Sequence, residues 1–282
     1  MHGPAPALAE IRESEAPPEI AALYDSIRHV TGLPVVNLVY RHMATLPGVL
    51  SWTWEIVRPV LRSGQADEAL RRIGAALRLP DSRKLSETLR ALELGEADRQ
   101  DVTAILDVYD RGNLLNLVNL NAVRVLLDRR DPAGAAPSRE PTGRAARPRL
   151  GPVPPLPNPA ELSDEADGPV RALAALHGAG VIPSLYLHLA HWPQLLAAVQ
   201  GPIHDMAARG ELERARSDLQ RLAIGEALEL ARCMRPDRPV PADQVEPLRR
   251  ALEIFAGRLI GEMAVVGRML RQALPRGADE PR

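Results

Sequence analysis

Asn113, Asn116 and Asn119 stand at steps of three in the segment Arg111-Gly112-Asn113-Leu114-Leu115-Asn116-Leu117-Val118-Asn119, and Asn121 follows. Steps of three drift slowly around a helix axis, so these amides form one polar stripe. Asparagine is a poor helix former, which makes the stripe costly without a role. Its amides suit recognition of a carboxylate or an amide without bringing a charge. Hydrogen bonding within the fold, or plain solvent exposure, would account for the same pattern. A second candidate is Glu262, in the apolar run Leu259-Ile260-Gly261-Glu262-Met263-Ala264-Val265-Val266. A carboxylate in such surroundings has its charged form disfavoured and can act as a base. Arg258 lies four residues earlier, and an exposed helix ion pair is the other reading of Glu262.

Two short apolar segments carry further polar groups: Asn37, Tyr40 and His42 in one, Ser184, Tyr186 and His188 in the other. A polar group on an apolar helix needs a partner. The tyrosines are expected to pack their rings in the core. The histidines are expected to cap or to sit outside, with a meeting across a twofold axis as the alternative. Two histidines alone do not make a metal site, and His191 would point away from His188 on a helix. No metal is therefore expected. No Gly-rich phosphate loop, nucleophile elbow or HExxH pattern is visible, and no cofactor is expected either.

The elements that must position these residues are written twice. Tyr40, His42, Ala44, Pro47, Leu50 and Gly64 return as Tyr186, His188, Ala190, Pro193, Leu196 and Gly210, each 146 positions on. The register still holds where Leu106-Asp107-Val108-Tyr109 recurs as Leu252-Glu253-Ile254-Phe255. Glu262 is then the counterpart of Asn116. Between the copies, nine of the 27 prolines fall in residues 131–159 with four arginines. That composition reads as an extended linker. The expected organisation is a first helical repeat at 15–130, the Pro-rich linker at 131–159 and a second repeat at 160–275.

Within the first repeat, Ile20, Leu23, Tyr24 and Ile27 make one helical stripe, broken at Thr31-Gly32-Leu33-Pro34. Further helices are expected over Asn37–Thr45, Leu50–Leu61 and Ala66–Arg78. A long last helix starts near Ala97-Asp98, with a kink expected at Gly112. Ala242-Asp243 opens its counterpart. No run of alternating β-branched residues predicts a sheet. The predicted fold is all-α: two tandem helical repeats forming an intrachain pseudo-dimer, with the site where they meet. A site between imperfect copies can be polar on one side and apolar on the other.

Bulk properties exclude several classes. The formal net charge is −1, which favours neither nucleic acid nor a membrane surface. Lys84 is the sole lysine among 35 basic residues, a bias that reads as genome composition. One cysteine, Cys233, excludes an internal disulfide and a cysteine-based zinc site. No apolar run reaches the roughly 20 residues of a membrane span, and the N-terminus has no signal-peptide pattern. A cytoplasmic protein, monomer or homodimer, is the expectation.

The string Glu13-Ser14-Glu15-Ala16-Pro17, continuing through Ile20–Arg28, Pro34–Gly48 and Trp54–Pro59, resembles the start of the group I 2-haloacid dehalogenases. Ile182-Pro183-Ser184-Leu185-Tyr186-Leu187-His188-Leu189-Ala190-His191-Trp192-Pro193 resembles the start of that family's second repeat. The resemblance covers nearly the whole chain outside the linker. It implies a hydrolase acting on the carbon–halide bond of 2-halo carboxylic acids. In that chemistry an aspartate activates a water that attacks the halogen-bearing carbon directly. It also implies substrate-binding roles for Tyr40, for Ser184 and for Asn116 or Asn119. Where it implies the aspartate, after Ser184, this chain has Leu185. Asp164 and Asp167 lie upstream and suit helix capping better than replacement of a base. Three functions stay open: an active 2-haloacid hydrolase, a divergent enzyme for another small carboxylic acid, and a non-catalytic binding protein.

Overall fold

The computed structural model describes residues 8–128, 150–178 and 180–275. Most of the Pro-rich segment expected as a linker lies outside the described residues. The fold is all-α, with twelve α-helices and no strand among the described residues.

Helix α1 (Pro18–Thr31) opens with proline in its first turn, where the missing N–H costs nothing, and buries Tyr24, Ile27 and Val30. Gly32 closes it at φ 73° and donates its N–H to the Arg28 carbonyl. Then come α2 (Leu38–Met43), α3 (Val49–Arg62), α4 (Gln65–Ala76) and α5 (Arg83–Ala91). Helix α6 (Glu96–Asp128) has 33 residues, about 50 Å at 1.5 Å per residue. It runs unbroken through Gly112. From Gly112 to Val123 every residue is buried, the mark of a helix enclosed on all sides.

The second set is α7 (Asp164–Ala175), α8 (Ser184–Leu189), α9 (Pro193–Ala208), α10 (Glu211–Ala231), α11 (Val245–Ile254) and α12 (Ile260–Ala273), with a π-turn at Phe255–Leu259 between the last two. The cap of α7 is Ser163, whose side chain accepts from the Ala166 N–H. Asp167 instead pairs with Arg171 one turn on.

Helix boundaries repeat at the spacing read from the sequence. Helix α8 has the bounds of α2 shifted by 146 residues, and α10 starts 146 after α4. Left-handed glycines repeat as well: Gly32 and Gly178 at φ 73° and 66°, Gly64 and Gly210 at 80° and 67°. The sets also differ. Helix α5, whose Leu85 and Leu89 are buried, was not foreseen, and α10 is continuous where α4 and α5 are separate.

The two sets share one apolar core, and α6 packs chiefly on α10 and α12. Ion pairs pin α12 to α6. Arg268 donates to both carboxylate oxygens of Asp110 at 2.8 and 3.0 Å, and Arg271 donates to Asp107 at 2.6 Å. No helix among the described residues is long and apolar enough to cross a membrane.

Candidate functional site

A cavity of about 40 Å³ lies where the first turns of α2 and α8 meet the middle of α6 and its counterpart. It is sized for a few waters or a short-chain molecule. Its walls are related by the sequence repeat. Asn37, Leu38 and Val39 face it, and so do Pro183, Ser184 and Leu185, each 146 positions on. Tyr109 and Phe255 form a fourth pair, Asn113 and Leu259 a fifth. Asn116, Ile260 and Met263 complete the wall. The α6 side is polar and the α11–α12 side is apolar.

Asn37 takes the N-cap position of α2, where its amide would ordinarily accept from the helix N-terminus. It makes no such bond. Its side chain lies against Gly112 of α6, where an added Cβ would come within 3.1 Å of Asn37 Nδ2. A side chain at 112 would crowd Asn37 and Leu33 where α2 approaches α6. Asn37 Oδ1, Asn113 Nδ2 and Asn116 Nδ2 are buried without a protein partner. Unpaired buried amides cost free energy that a polar ligand would recover.

Ser184 opens α8 and accepts a 3.2 Å hydrogen bond from Arg41 Nη2. Arg41 is itself buried, held by Glu10 Oε2 at 2.5 Å and the Val36 carbonyl at 2.6 Å. Arg41, Ser184 and Leu38 also line an outer groove of about 770 Å³, so Ser184 and Leu38 are common to both spaces. Burial pushes the Tyr109 phenol well above its usual pKa, against the pull of Arg41 and Ser184.

Tyr109 also bonds His188 Nδ1 at 2.7 Å, and His188 Nε2 lies 3.0 Å from the Pro154 carbonyl. The reading of His188 as a cap or an outer residue is corrected here: it is 1% exposed. Burial pushes its pKa down to about 4, with the neighbouring His191 and Arg41 adding to the shift and the Pro154 carbonyl opposing it. The two histidines do not meet. Each packs on the aromatic ring of the other set's long helix, His42 on Phe255 at 5.7 Å and His188 on Tyr109 at 5.6 Å.

Of the residues singled out from sequence, Asn116 and Ser184 line the cavity. Asn119 is buried one turn further along α6 and donates back to the Leu115 carbonyl at 2.8 Å. Tyr40 is buried edge-on to Trp54, with ring centroids 6.3 Å apart. Neither is among the lining residues. Glu262 points elsewhere, to His177 Nδ1 at 2.7 Å and Arg258 Nε at 2.7 Å. His177 Nε2 in turn meets the Tyr186 hydroxyl at 2.9 Å. The Arg258 pair forms, and the Glu262 side chain is 11% exposed. Among the described residues no lining residue is Asp, Glu or His, and Leu185 is 1% exposed.

No family model matches the chain. A configuration-inverting 2-haloacid dehalogenase of Alcaligenes xylosoxydans xylosoxydans is 28% identical to it over 221 residues, covering 76% of this chain and 73% of that protein. Solved structures of D-2-haloacid dehalogenases share its fold. A mutant enzyme matches with TM-score 0.69 at 15% identity, covering 95% of this chain and 96% of that one. A mutant in complex with D-2-CPA matches with TM-score 0.66 at 16% identity, over 95% and 94% of the two chains. A complex with L-LA matches with TM-score 0.65 at 15% identity, over 95% of each.

Tyr109 stood out in the sequence only through the recurring string Leu106-Asp107-Val108-Tyr109, and Asn113 only as part of the stripe. The repeat register held a usable signal for Tyr109, because its counterpart is Phe255, a hydroxyl lost between copies. Nothing in the sequence linked His188 to Tyr109, 79 positions away.

Proposed function

We propose that this chain is a divergent member of the 2-haloacid dehalogenase family, built of two copies of one helical unit, whose inter-copy cavity binds a small 2-substituted carboxylic acid. One observation carries the reading. Asn113 and Asn116 line a small cavity whose opposite wall is apolar, and each carries a buried amide nitrogen without a protein partner. Two amide donors match the two oxygens of a carboxylate, and the apolar wall matches a short alkyl substituent. The likeness in sequence and fold to 2-haloacid dehalogenases supports the same ligand class.

Hydrolysis of a carbon–halide bond by an activated water needs a proton acceptor beside that water. Among the described residues the cavity wall supplies no carboxylate or imidazole, and Leu185 stands where the resemblance implies an aspartate. Glu262 keeps its carboxylate on His177 and Arg258, a positioning role for α12. We therefore read the site as one that binds the acid and does not turn it over by the family's route. Calorimetric titration with propionate and racemic 2-chloropropionate, alongside halide release by ion chromatography, tests both halves. Binding with halide release equal to the buffer blank is expected. Release above the blank overturns the second half, and absence of any binding overturns the first.

A further inference from the structure

The inner cavity and the outer groove meet at two residues, Leu38 and Ser184. These are counterparts in the repeat, 146 positions apart, and each is the first residue of its helix, α2 or α8. They differ in how they are held. Ser184 is buried and takes its hydrogen bond from Arg41, whose guanidinium is anchored in turn on Glu10 and the Val36 carbonyl. Leu38 has an apolar side chain, which no hydrogen bond can anchor, and is half-buried. Among the described residues every other member of the cavity wall is buried. Leu38 is therefore the part of that wall that reaches toward solvent, and it does so through the groove. Its position also leaves the side chain free to turn. Leucine rotamers inside a helix are restricted by the preceding turn, and no helical turn precedes the first position of α2.

A space walled by buried residues fills only when part of its wall moves. We infer that Leu38 is the gate of the inner cavity and that the outer groove between α2, α7 and α8 is its vestibule. The groove, of about 770 Å³, admits a small carboxylic acid whole, and its charged lining is Arg41 and Arg171 against Glu10. An acid entering there passes between the pinned Ser184 and the turning Leu38. Rotation of a gate limits entry and exit alike, whereas a residue that only touches the bound acid acts on its escape. The inference rests on the reading of the cavity as a small-acid site.

The test is exchange of racemic 2-fluoropropionate with the full chain, read by fluorine NMR line shape and relaxation dispersion as association and dissociation rates. Leu38→Ala is expected to raise the association rate about tenfold. Ala175 is an exposed residue of α7 that lines the groove and not the cavity. Ala175→Trp is expected to lower both rates by the same factor, about threefold or more, and to leave affinity within about twofold. A Leu38→Ala effect confined to dissociation, or parental rates in Ala175→Trp, overturns the inference and leaves the small-acid reading standing. If the parent chain does not bind the acid, that reading falls and this inference with it. Should Leu38→Ala fail to fold, Ala175→Trp decides alone, because an exposed substitution spares the core.

Discussion

Helix α6 and its counterpart, the α11–π-turn–α12 run, begin in the same register and end up presenting different chemistry. On α6 the cavity-facing residues are Tyr109, Asn113 and Asn116. On the counterpart they are Phe255, Leu259, Ile260 and Met263. The first two pairs keep the 146-residue spacing, but the position opposite Asn116 is taken by Met263, not by Glu262. The π-turn at Phe255–Leu259 explains the slip. It closes a turn with one residue more than an α-turn, so every face beyond it shifts by one position. Glu262 thereby leaves the cavity for His177 and Arg258, and Met263 replaces it. Two helical runs in the same register can thus differ in chemistry by a local winding change as well as by substitution.

The largest test of that asymmetry puts a carboxylate back. Leu185→Asp would place an acid among the lining residues, with Gly267 close behind it. Halide release from racemic 2-chloropropionate, read by ion chromatography, is expected to rise about a hundredfold or more over the parent. No gain would mean that position 185 is not the missing acceptor.

Next in size is the acid response of His188. Its folded pKa of about 4 lies below the ordinary value of 6.5. Between these values the unfolded chain binds a proton that the folded chain refuses, so stability falls as pH drops from 6.5 toward 4. The full effect is about 3 kcal/mol. Urea unfolding at several pH values is expected to show this slope, and His188→Phe is expected to flatten it. An identical slope in the variant would place the titration elsewhere.

The donors of the polar wall come third. Asn116→Ala is expected to weaken propionate binding about tenfold, whereas Asn119→Ala leaves it unchanged. Equal losses would extend the cavity beyond its described lining. The apolar wall supplies the fourth test. Glu262→Gln keeps the shape but loses the charge facing Arg258, so a stability loss of about 1 kcal/mol with acid affinity unchanged is expected. Lost affinity would return Glu262 to the cavity. Smallest is Gly112→Ala. Its gain in helix propensity of about 1 kcal/mol offsets the crowding of Asn37 and Leu33, so melting temperature is expected to stay close to the parent while acid binding weakens. A variant that binds as the parent does would show that Asn37 can shift without loss.

Much of the frame was legible beforehand. The stripe Ile20, Leu23, Tyr24, Ile27 gave α1, and Gly32 gave its end. The recurrence of Tyr40-His42 as Tyr186-His188 led to α2 and α8. Helix α5 was missed because its two buried residues, Leu85 and Leu89, are isolated apolar positions in a short, otherwise polar segment. In the site, the asparagine stripe pointed to Asn116 for a sound reason, the cost of burying amides. Asn119 shared that signal yet satisfied one amide hydrogen on its own helix. Sequence spacing cannot separate these outcomes, because they depend on what faces each residue across the interface.

Composition and periodicity determined an all-α chain, because the apolar residues recur at helical intervals and never in strand alternation. The repeated strings determined which residues would stand opposite one another, because equal spacing carries equal positions in similar helices. The tertiary structure alone decided that Asn37 forgoes its cap, that His188 bonds Tyr109, and that Glu262 turns away from the cavity. Each of these depends on a partner distant in sequence or on the winding of one turn, and neither quantity is written in local residue order.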